Sequence, residues 1–405
     1  MPKLLQINIT ANWGSTGKIA EAIGVEAINR GWESYIAYGR WCNPSQSHLI
    51  KVGGRWDKYF HFAEQRIRDN EGLCSRSATK RLVQQIELIK PNIVQLHNIH
   101  DHYLNYQLLF EYLNQTEIKV VWTFHDCWAF TGHCFHFVTK NCEKWKTGCC
   151  DCPMKNVLPK TLLDRSKRNF ELKKYLFGSC ESLTIVPCSE WMAGFVRQSF
   201  LKDKRIEVIK NGVDLNVFRP LKRNENGHNF SILAVSSVWN EDKGLYDIFR
   251  LRELLPEQYS ITIVGLSAKQ LGQLPTGIKG IERTQNVEEL VQLYSDANVL
   301  INPTYADTFP TVNLEALACG TPVVTYRTGG SPEAIDENTG LIVEQGDVEA
   351  IASIVKSFEL RDKSEVEAQR KACRDRAERY FNKEERYNDY MTVYQGVIEG
   401  GGISG

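Results

Sequence analysis

Residues 307–330, with the sequence DTFPTVNLEALACGTPVVTYRTGG, decide the fold of this chain. An apolar strand at 298–302 leads into a polar loop, and a short helix over about Thr311–Ala318 stops at Gly320 before a second apolar strand. This order of strand, loop, helix and strand is typical of a parallel sheet. Ligands of such sheets lie beyond the carboxyl ends of the strands, so we expect a ligand at the start of this helix.

The start of the predicted helix has the chemistry of an anion site. Its amides face outward with a partial positive charge, which suits a phosphate. Asp307 and Glu315 flank this site with seven residues between them. Carboxylates do not bind phosphate, but they accept hydrogen bonds from sugar hydroxyls, so the combination indicates a nucleotide sugar. The alternative is an ordinary crossover helix in which Glu315 is a solvated charge and Asp307 caps a loop.

Several motifs resemble those of family 4 retaining glycosyltransferases of the GT-B fold, also called group 1 glycosyltransferases. They are LEALACGTPVV at 314–324, GGSPE at 329–333, TG at 339–340, NGVD at 211–214, and WTFHD at 122–126, which contains His125. The family usually has Glu at both ends of the seven-residue spacing, Gly after the Phe, and an Arg five residues before the Lys of the donor site. This chain has Asp307, Pro310 and Val238 at those positions.

The resemblance implies a role for each residue of a donor site. It implies that Glu315 accepts hydrogen bonds from the ribose and Asp307 from the donor sugar, while Lys243 and the helix amides hold the diphosphate. The glycine turn at 14–17 fails the spacing of an ATPase phosphate loop and resembles the first glycine-rich loop of the family. The implied donor site is Gly14, Gly17, Lys243, Asp307, Phe309, Thr311, Val312, Asn313 and Glu315, and the implied catalytic residues are His125, Asp307 and Lys243.

The alternation of strand-like and helix-like segments predicts an α/β protein with two doubly wound, Rossmann-like halves. We place the first half at 1–208, with a cysteine-rich insert at 127–157, a polar linker at 209–229, and the second half at 230–380. Composition and spacing predict a helix in the last segment, 381–405. The resemblance assigns the acceptor to the first half and the donor to the second, with a central cleft, and implies that the last helix crosses back to the first half.

We therefore expect a retaining glycosyltransferase, of hexosyl or N-acetylhexosaminyl type, acting in surface polysaccharide synthesis. It would move a sugar from a nucleoside diphosphate sugar to a saccharide or lipid-linked saccharide acceptor. The chain contains no Asp-X-Asp triplet, so helix amides and Lys243, rather than a catalytic metal, are expected to stabilise the leaving group. The alternatives are a nucleotide-sugar epimerase of the same fold and a non-enzymatic protein that binds sugar nucleotides.

Charge and hydropathy restrict the partners. Lys plus Arg and Asp plus Glu number 49 each, so no net charge attracts nucleic acid. The start, MPKLLQINI, predicts a first strand rather than a signal peptide, and no stretch approaches the roughly 20 apolar residues of a membrane helix. We expect a cytoplasmic protein. The basic segment 160–174 suits peripheral contact with the inner face of a membrane, the alternative being a solvated helix.

Six of the twelve cysteines lie between Cys127 and Cys152. The spacing of Cys134, Cys142, Cys149 and Cys152 allows a tetrahedral structural zinc site, and the insert lacks the regular apolar spacing that would hold it together by packing. We therefore expect zinc to fold the insert beside the active site. Free buried thiols and a redox pair are the alternatives. For His97, His100 and His102, which follow a strand, ordinary loop histidines are the simpler interpretation.

Overall fold

The computed structural model of the protein describes residues 1–157, 159–224 and 230–400. The chain forms two compact units. The N-terminal unit consists of Met1–Ile209 together with the chain from Tyr387 onward, and the C-terminal unit is Lys210–Arg386. Residues 225–229 of the expected linker and 401–405 of the expected last helix lie outside the described residues.

The helices and strands are numbered along the chain. The strands are β1 (Lys3–Asn8), β2 (Glu33–Tyr38), β3 (His48–Lys51), β4 (Ile93–Leu96), β5 (Lys119–Phe124), β6 (Leu183–Pro187), β7 (Arg205–Ile206), β8 (Phe230–Val235), β9 (Tyr259–Val264), β10 (Ile278–Ile281), β11 (Val299–Asn302), β12 (Val323–Tyr326) and β13 (Gly340–Val343). The α-helices are α1 (Gly14–Asn29), α2 (Arg55–Arg68), α3 (Arg76–Ile89), α4 (Tyr106–Leu113), α5 (Ser166–Gly178), α6 (Glu190–Val196), α7 (Leu245–Leu254), α8 (Ala268–Leu271), α9 (Val287–Asp296), α10 (Thr311–Ala318), α11 (Val348–Glu359), α12 (Lys363–Tyr380) and α13 (Lys383–Ile398).

Each unit is built on a parallel sheet. The N-terminal sheet has the strand order β3-β2-β1-β4-β5-β6-β7, and the C-terminal sheet has the order β10-β9-β8-β11-β12-β13. In both sheets the chain winds outward in two directions from its first strand, which confirms the predicted pair of doubly wound α/β halves. Strands β4, β11 and β12 are buried along their whole length, as continuous apolar strands are when helices cover both faces of a sheet.

The stretch that predicted the fold forms β11, α10 and β12. Helix α10 has the range expected from its sequence, Thr311–Ala318, and the chain turns after it at Gly320 with φ +76°. Two arginines of α12 donate to carbonyls at the end of α10: Arg374 to Ala318 at 2.9 Å and Arg370 to Cys319 at 3.4 Å. These bonds satisfy carbonyls that have no partner within the helix, and they place positive charge at its negative end.

Helix α13 contributes most of its length to the N-terminal unit. Its buried side chains Tyr390, Met391 and Tyr394 pack in one cluster with Leu4 and Val121 of the sheet. The same helix also hydrogen-bonds a polar side chain inside the sheet: the Tyr394 hydroxyl donates to Oε1 of Gln95 in β4 at 2.9 Å. No helix in the described part of the chain is long and apolar enough to cross a bilayer.

The cysteine-rich insert is held together by aromatic packing, so the expectation that it needs a metal for lack of apolar contacts was wrong. Phe130, Phe137 and Trp145 are buried in the main core of the N-terminal unit. The rings of Phe137 and Trp145 stack at 5.0 Å, and Trp145 meets Phe195 of α6 at 5.3 Å. Phe130 and Trp145 lie on short 3-10 turns and Phe137 directly precedes another, so their spacing follows neither the helical nor the strand period.

Lys173 of α5 fixes the start of this insert from inside the core. Its buried ammonium donates to the carbonyls of Trp128 at 2.7 Å and Thr131 at 3.1 Å, and it lies 3.4 Å from the centroid of the Trp128 ring. Burial lowers the pKa of Lys173 to about 7. One buried side chain therefore bridges two carbonyls of the insert, and its bond to Trp128 is shorter than the one that the Thr131 amide makes to the same carbonyl at 3.4 Å.

We expect Lys173→Met to lower the free energy of unfolding by about 1–3 kcal/mol, because the variant removes the donor to the Thr131 carbonyl and the shortest hydrogen bond to the Trp128 carbonyl. Lys174→Met is the matched control, since Lys174 is exposed on the same helix. Urea unfolding followed by circular dichroism measures both. Equal midpoints for the two variants would show that Lys173 does not anchor the insert.

Candidate functional site

Gly329 brings the loop before α10 against the chain that follows β12. It has φ +55°, and a Cβ on this residue would lie 1.6 Å from the Asp307 carbonyl oxygen. The next amide, of Gly330, donates to the Thr308 carbonyl at 3.1 Å. Only glycine can occupy such a close approach, so this residue fixes where the Asp307 backbone lies.

A second glycine positions Lys243. The lysine ends the 3-10 turn Glu241–Lys243, and Gly244 follows it with φ +70°. A Cβ at Gly244 would lie 2.1 Å from the Pro303 carbonyl oxygen. The turn is tied to the same loop by the Tyr305 amide, which donates to the Asp242 carbonyl at 2.7 Å. The end of β11 and the turn before α7 are therefore held together.

Lys243 and Asp307 form an ion pair in this frame. Lys243 Nζ donates to Asp307 Oδ2 at 2.7 Å and lies 3.4 Å from the Ala306 carbonyl oxygen. The side chains are 28% and 21% exposed, so both charges can be reached from solvent. The cation expected at the diphosphate and the carboxylate expected at the sugar are brought together, and each neutralises the other.

The start of α10 carries the other residues of the predicted donor site. Pro310 stands at the N-cap, and no side chain in the described part of the chain caps the helix. The first-turn amides, which include those of Thr311 and Val312, have no carbonyl partner within an α-helix. Asn313 is buried, and its Oδ1 accepts from Asn302 Nδ2 at 2.8 Å, so its side chain joins α10 to β11.

Glu315 and Phe309 are held more firmly than the sequence indicates. Glu315 Oε2 accepts from the hydroxyl of buried Tyr294 at 2.8 Å. Phe309 is buried, and its carbonyl accepts from Asn211 Nδ2 at 3.2 Å. Phe309 is therefore a packing residue under the loop. The tyrosine partner of Glu315 could not be found from sequence, because α9 and α10 meet only in the folded unit.

In the N-terminal unit, Gly17 belongs to a tight turn at the start of α1. A Cβ there would lie 2.6 Å from Thr10 Oγ1, and the Asn12 amide donates to the Gly17 carbonyl at 3.0 Å. Gly14 begins the helix with φ +65° in open space. Sequence reasoning missed the neighbouring aromatic pair, in which Trp13 and Trp41 lie with ring centroids 4.7 Å apart.

His125 stacks on His97 at the carboxyl edge of the same sheet. The rings are 5.5 Å apart, and His97 Nδ1 lies 3.2 Å from His125 Nε2. His97 Nε2 lies 3.1 Å from Gln6 Oε1, which can only accept a hydrogen bond, so His97 carries its proton on Nε2. Its Nδ1 therefore accepts a hydrogen bond from His125 Nε2. Burial lowers the pKa of His125 to about 4 and that of His97 well below its ordinary value. Both rings are neutral at pH 7.

The neighbouring histidines, His100 and His102, lie beside carboxylates instead. His100 Nε2 lies 2.9 Å from Asp126 Oδ2; burial alone would lower the pKa of His100, but this carboxylate outweighs burial and raises it. His102 contacts Glu71 at 3.2 Å and Asp101 at 3.3 Å, and these carboxylates likewise outweigh burial and raise its pKa to about 9. Asp101, which lies between these two histidines in the sequence, was the available signal.

Comparison with known proteins shows the family. Residues 229–358 match the family "Glycosyl transferases group 1", and residues 20–217 match "Glycosyltransferase Family 4". The chain belongs to the group 1 and family 4 glycosyltransferases. Both matched regions contain residues named from the sequence: His125 lies in the second, and Lys243, Asp307 and Glu315 lie in the first.

Individual relatives of this glycosyltransferase cover nearly the whole chain. It is 23% identical over 375 residues to a candidate colanic acid biosynthesis glycosyl transferase, WcaC of Escherichia coli strain K12, covering 87% of this chain and 90% of that protein. Sucrose-phosphate synthase from Thermosynechococcus elongatus matches with a TM-score of 0.74 at 16% identity over 99% of this chain and 100% of that one. Anabaena HepE in complex with UDP and glucose matches with a TM-score of 0.66 at 13% identity over 98% and 100%. The fold is therefore GT-B.

The cysteines of this glycosyltransferase do not support the expected zinc site. Cys134, Cys142, Cys149 and Cys152 line one small cavity of the insert. Within residues 1–157, 159–224 and 230–400, however, no three His, Cys, Asp or Glu side chains are grouped so that they could hold a metal ion. His133 is taken by a buried ion pair with Asp69 at 2.6 Å. Aromatic packing and Lys173 hold the insert, and its cysteines form no disulfide in the described part of the chain.

The basic segment 160–174 is not one amphipathic helix with its apolar side in solvent. Helix α5 begins only at Ser166, and its Phe170 and Lys173 are buried in the N-terminal unit. The apolar side of this helix faces the core, while the exposed side carries charged residues such as Lys167 and Lys174. Membrane contact through α5 is therefore not supported, because a surface-bound helix needs its apolar side free.

We expect Gly329→Ala to destabilise the C-terminal unit by about 3 kcal/mol, because the new Cβ meets the Asp307 carbonyl and the backbone has positive φ. Gly346→Ala is the matched control: Gly346 has φ +81°, but the nearest atom to its Cβ is the Tyr305 hydroxyl at 3.4 Å. Backbone strain alone should cost the control about 1 kcal/mol. Urea unfolding that gives equal losses for both variants contradicts the close approach.

Nuclear magnetic resonance of ¹⁵N-histidine-labelled protein tests the two kinds of histidine. With a pKa lowered to about 4, the His125 ring should stay neutral from pH 8 down to pH 5, and with a pKa raised to about 9, the His102 ring should stay charged up to pH 8. His125→Gln and His102→Gln assign the signals. Titration of either ring near its ordinary pKa of about 6.5 would refute the environments described.

Proposed function

We propose that this glycosyltransferase is a retaining enzyme that moves a hexosyl or N-acetylhexosaminyl group from a nucleoside diphosphate sugar to a saccharide or lipid-linked saccharide. The observation that carries the proposal is the solvent-accessible pair of Lys243 and Asp307 beside the uncapped start of α10. The HepE complex with UDP and glucose supports the donor class, and the likeness to WcaC supports a role in polysaccharide biosynthesis.

Donor binding exchanges the partners of the ion pair. A diphosphate carries more negative charge than a carboxylate, so Lys243 Nζ turns from Asp307 to the phosphate oxygens, aided by the free amides of Thr311 and Val312. Asp307 then accepts hydrogen bonds from hydroxyls of the donor sugar. Glu315, oriented by the Tyr294 hydroxyl, accepts from the ribose. Lys243 and Asp307 therefore bind the diphosphate and the sugar, respectively.

Bond cleavage leaves a nucleoside diphosphate, whose negative charge grows as the sugar departs. Lys243 and the α10 amides stabilise that charge, and the chain has no Asp-X-Asp triplet for a catalytic cation. The acceptor hydroxyl attacks from the face that the diphosphate leaves and gives its proton to a departing phosphate oxygen. This route retains the configuration at the transferred carbon and uses no enzyme nucleophile.

The N-terminal unit supplies the acceptor half. Trp13 and Trp41 are 44% and 51% exposed, and an exposed aromatic pair offers an apolar surface to the face of a sugar ring. The neutral ring of His125 donates a hydrogen bond from Nε2 to His97, and the family resemblance places this ring beside the reacting sugar. Arg40, which contacts both Asp101 and His102, places a positive charge beside the aromatic pair.

We expect Lys243→Ala and Glu315→Gln each to reduce release of nucleoside diphosphate by about 100-fold or more, because each removes a group that holds the donor or its leaving charge. Lys279→Ala, at an exposed lysine of β10, is the control and should keep wild-type turnover. The assay measures nucleoside diphosphate formed from a panel of UDP-sugars and GDP-sugars with added saccharide acceptors.

Two results would contradict the proposal. Wild-type turnover in Lys243→Ala or Glu315→Gln would exclude the donor site described. Conversion of a nucleotide sugar to another nucleotide sugar, with no nucleoside diphosphate released, would identify an epimerase instead. Urea midpoints equal to that of the wild type establish that a loss of activity is not a loss of fold.

A further inference from the structure

Helix α2 is amphipathic in the opposite sense from a helix that packs on a sheet. Its apolar side chains face solvent: Trp56 is 84% exposed, Phe60 63%, Tyr59 55% and Ile67 48%. They recur at intervals of three, four and seven to eight residues, which places them in one stripe along the helix. The buried side chains of the helix are polar, His61 and Gln65.

Polar contacts fix the helix in this orientation. The Gly72 amide donates to His61 Nε2 at 3.1 Å, so His61 carries its proton on Nδ1 and donates it to Ser75 Oγ at 3.0 Å. Gln65 Nε2 donates to the Lys160 carbonyl at 3.0 Å. Rotation of the stripe into the core would break these buried hydrogen bonds. The exposed apolar side is therefore a stable feature of the fold.

The chain that follows the insert extends the stripe. Leu162 and Leu163 donate their amides to the carbonyls of Arg66 and Ile67 at 2.8 and 3.1 Å, which places both leucines beside the end of α2. Leu162 is 75% exposed and Leu163 49%. We name the surface formed by Trp56, Tyr59, Phe60, Ile67, Leu162 and Leu163 the α2 face. Contiguous exposed apolar surface of this kind marks an interaction site.

Basic side chains border the α2 face. Helix α2 holds four basic residues, Arg55, Lys58, Arg66 and Arg68, against two acidic ones, Asp57 and Glu64, for a net charge of +2. Both acids have local partners: Asp57 accepts from the Gly54 amide at 2.7 Å, and Glu64 pairs with Arg68 at 3.3 Å. Arg55 lies 5.9 Å from the ring of Tyr59 in the stripe, and Arg66 lies 5.9 Å from the ring of Phe62 and 3.4 Å from the Lys160 carbonyl oxygen.

We propose that the α2 face docks this glycosyltransferase on an anionic lipid bilayer. Trp56, Tyr59 and Phe60 enter the boundary between headgroups and acyl chains, where amphipathic aromatic rings are favoured. Arg55 and Arg66 bind headgroup phosphates. Charge favours a bilayer over a second copy of the chain, since two copies would bring net positive faces together. The inference is independent of the donor chemistry, and it assigns the membrane contact to α2 with Leu162 and Leu163 rather than to α5.

Vesicle flotation tests the proposal. Wild-type protein should float with phosphatidylcholine vesicles that contain about 30% phosphatidylglycerol, and binding should weaken with pure phosphatidylcholine or high salt. The variant Trp56→Ser/Phe60→Ser should lose binding by about 10-fold or more, because two rings no longer enter the bilayer. Leu88→Ser/Tyr175→Ser, which removes exposed apolar side chains on α3 and α5, is the matched control and should bind as the wild type does.

Three outcomes would overturn the inference. One is failure of the wild-type protein to bind anionic vesicles, and another is equal binding by Trp56→Ser/Phe60→Ser. The third is a wild-type dimer that this variant converts to a monomer without any binding to vesicles, which would assign the α2 face to a second copy. Light scattering after size exclusion measures the oligomeric state, and nucleoside diphosphate release by each soluble variant keeps this test separate from the donor site.

Discussion

The ion pair between Lys243 and Asp307 depends on two backbone contacts that allow no side chain. Gly244 lies against Pro303 and Gly329 against Asp307, so the turn before α7, the loop after β11 and the chain after β12 converge. Opposite charges 2.7 Å apart then hold each other in place while a quarter of each side chain stays exposed. Such a pair contributes little to stability, but it keeps a cation and a hydrogen-bond acceptor close to the start of a helix.

The N-terminal unit handles its polar groups in a different way, because burial and local partners set the charge of each histidine. His125 and His97 share one hydrogen bond and burial lowers the pKa of both, whereas His100 and His102 lie beside carboxylates that raise their pKa values. Lys173 is buried as well, and it serves structure by holding the insert. Helix α2 presents its polar side to the core and its apolar side to solvent, whereas α5 buries Phe170 and exposes charged residues.

The sequence predicted what depends on local pattern. Apolar runs and Gly320 define β11, α10 and β12, and α10 has the predicted range because its ends are marked by Pro310 and Gly320. The ion pair, the tyrosine partner of Glu315 and the histidine stack were beyond prediction, since their residues are far apart in sequence. The insert was misread because its aromatic residues follow no regular period. Segment 160–174 was misread because composition does not tell which side of a helix faces the core.

Calorimetry with Asp307→Asn tests the central claim most directly. The ligand is the nucleoside diphosphate that most stabilises the wild-type protein against heat. If Lys243 exchanges Asp307 for phosphate, the variant should bind this nucleoside diphosphate several-fold tighter, because the competing carboxylate and its repulsion of phosphate are both removed, while transfer of sugar is lost. Unchanged or weaker binding of the nucleoside diphosphate by Asp307→Asn would contradict the account.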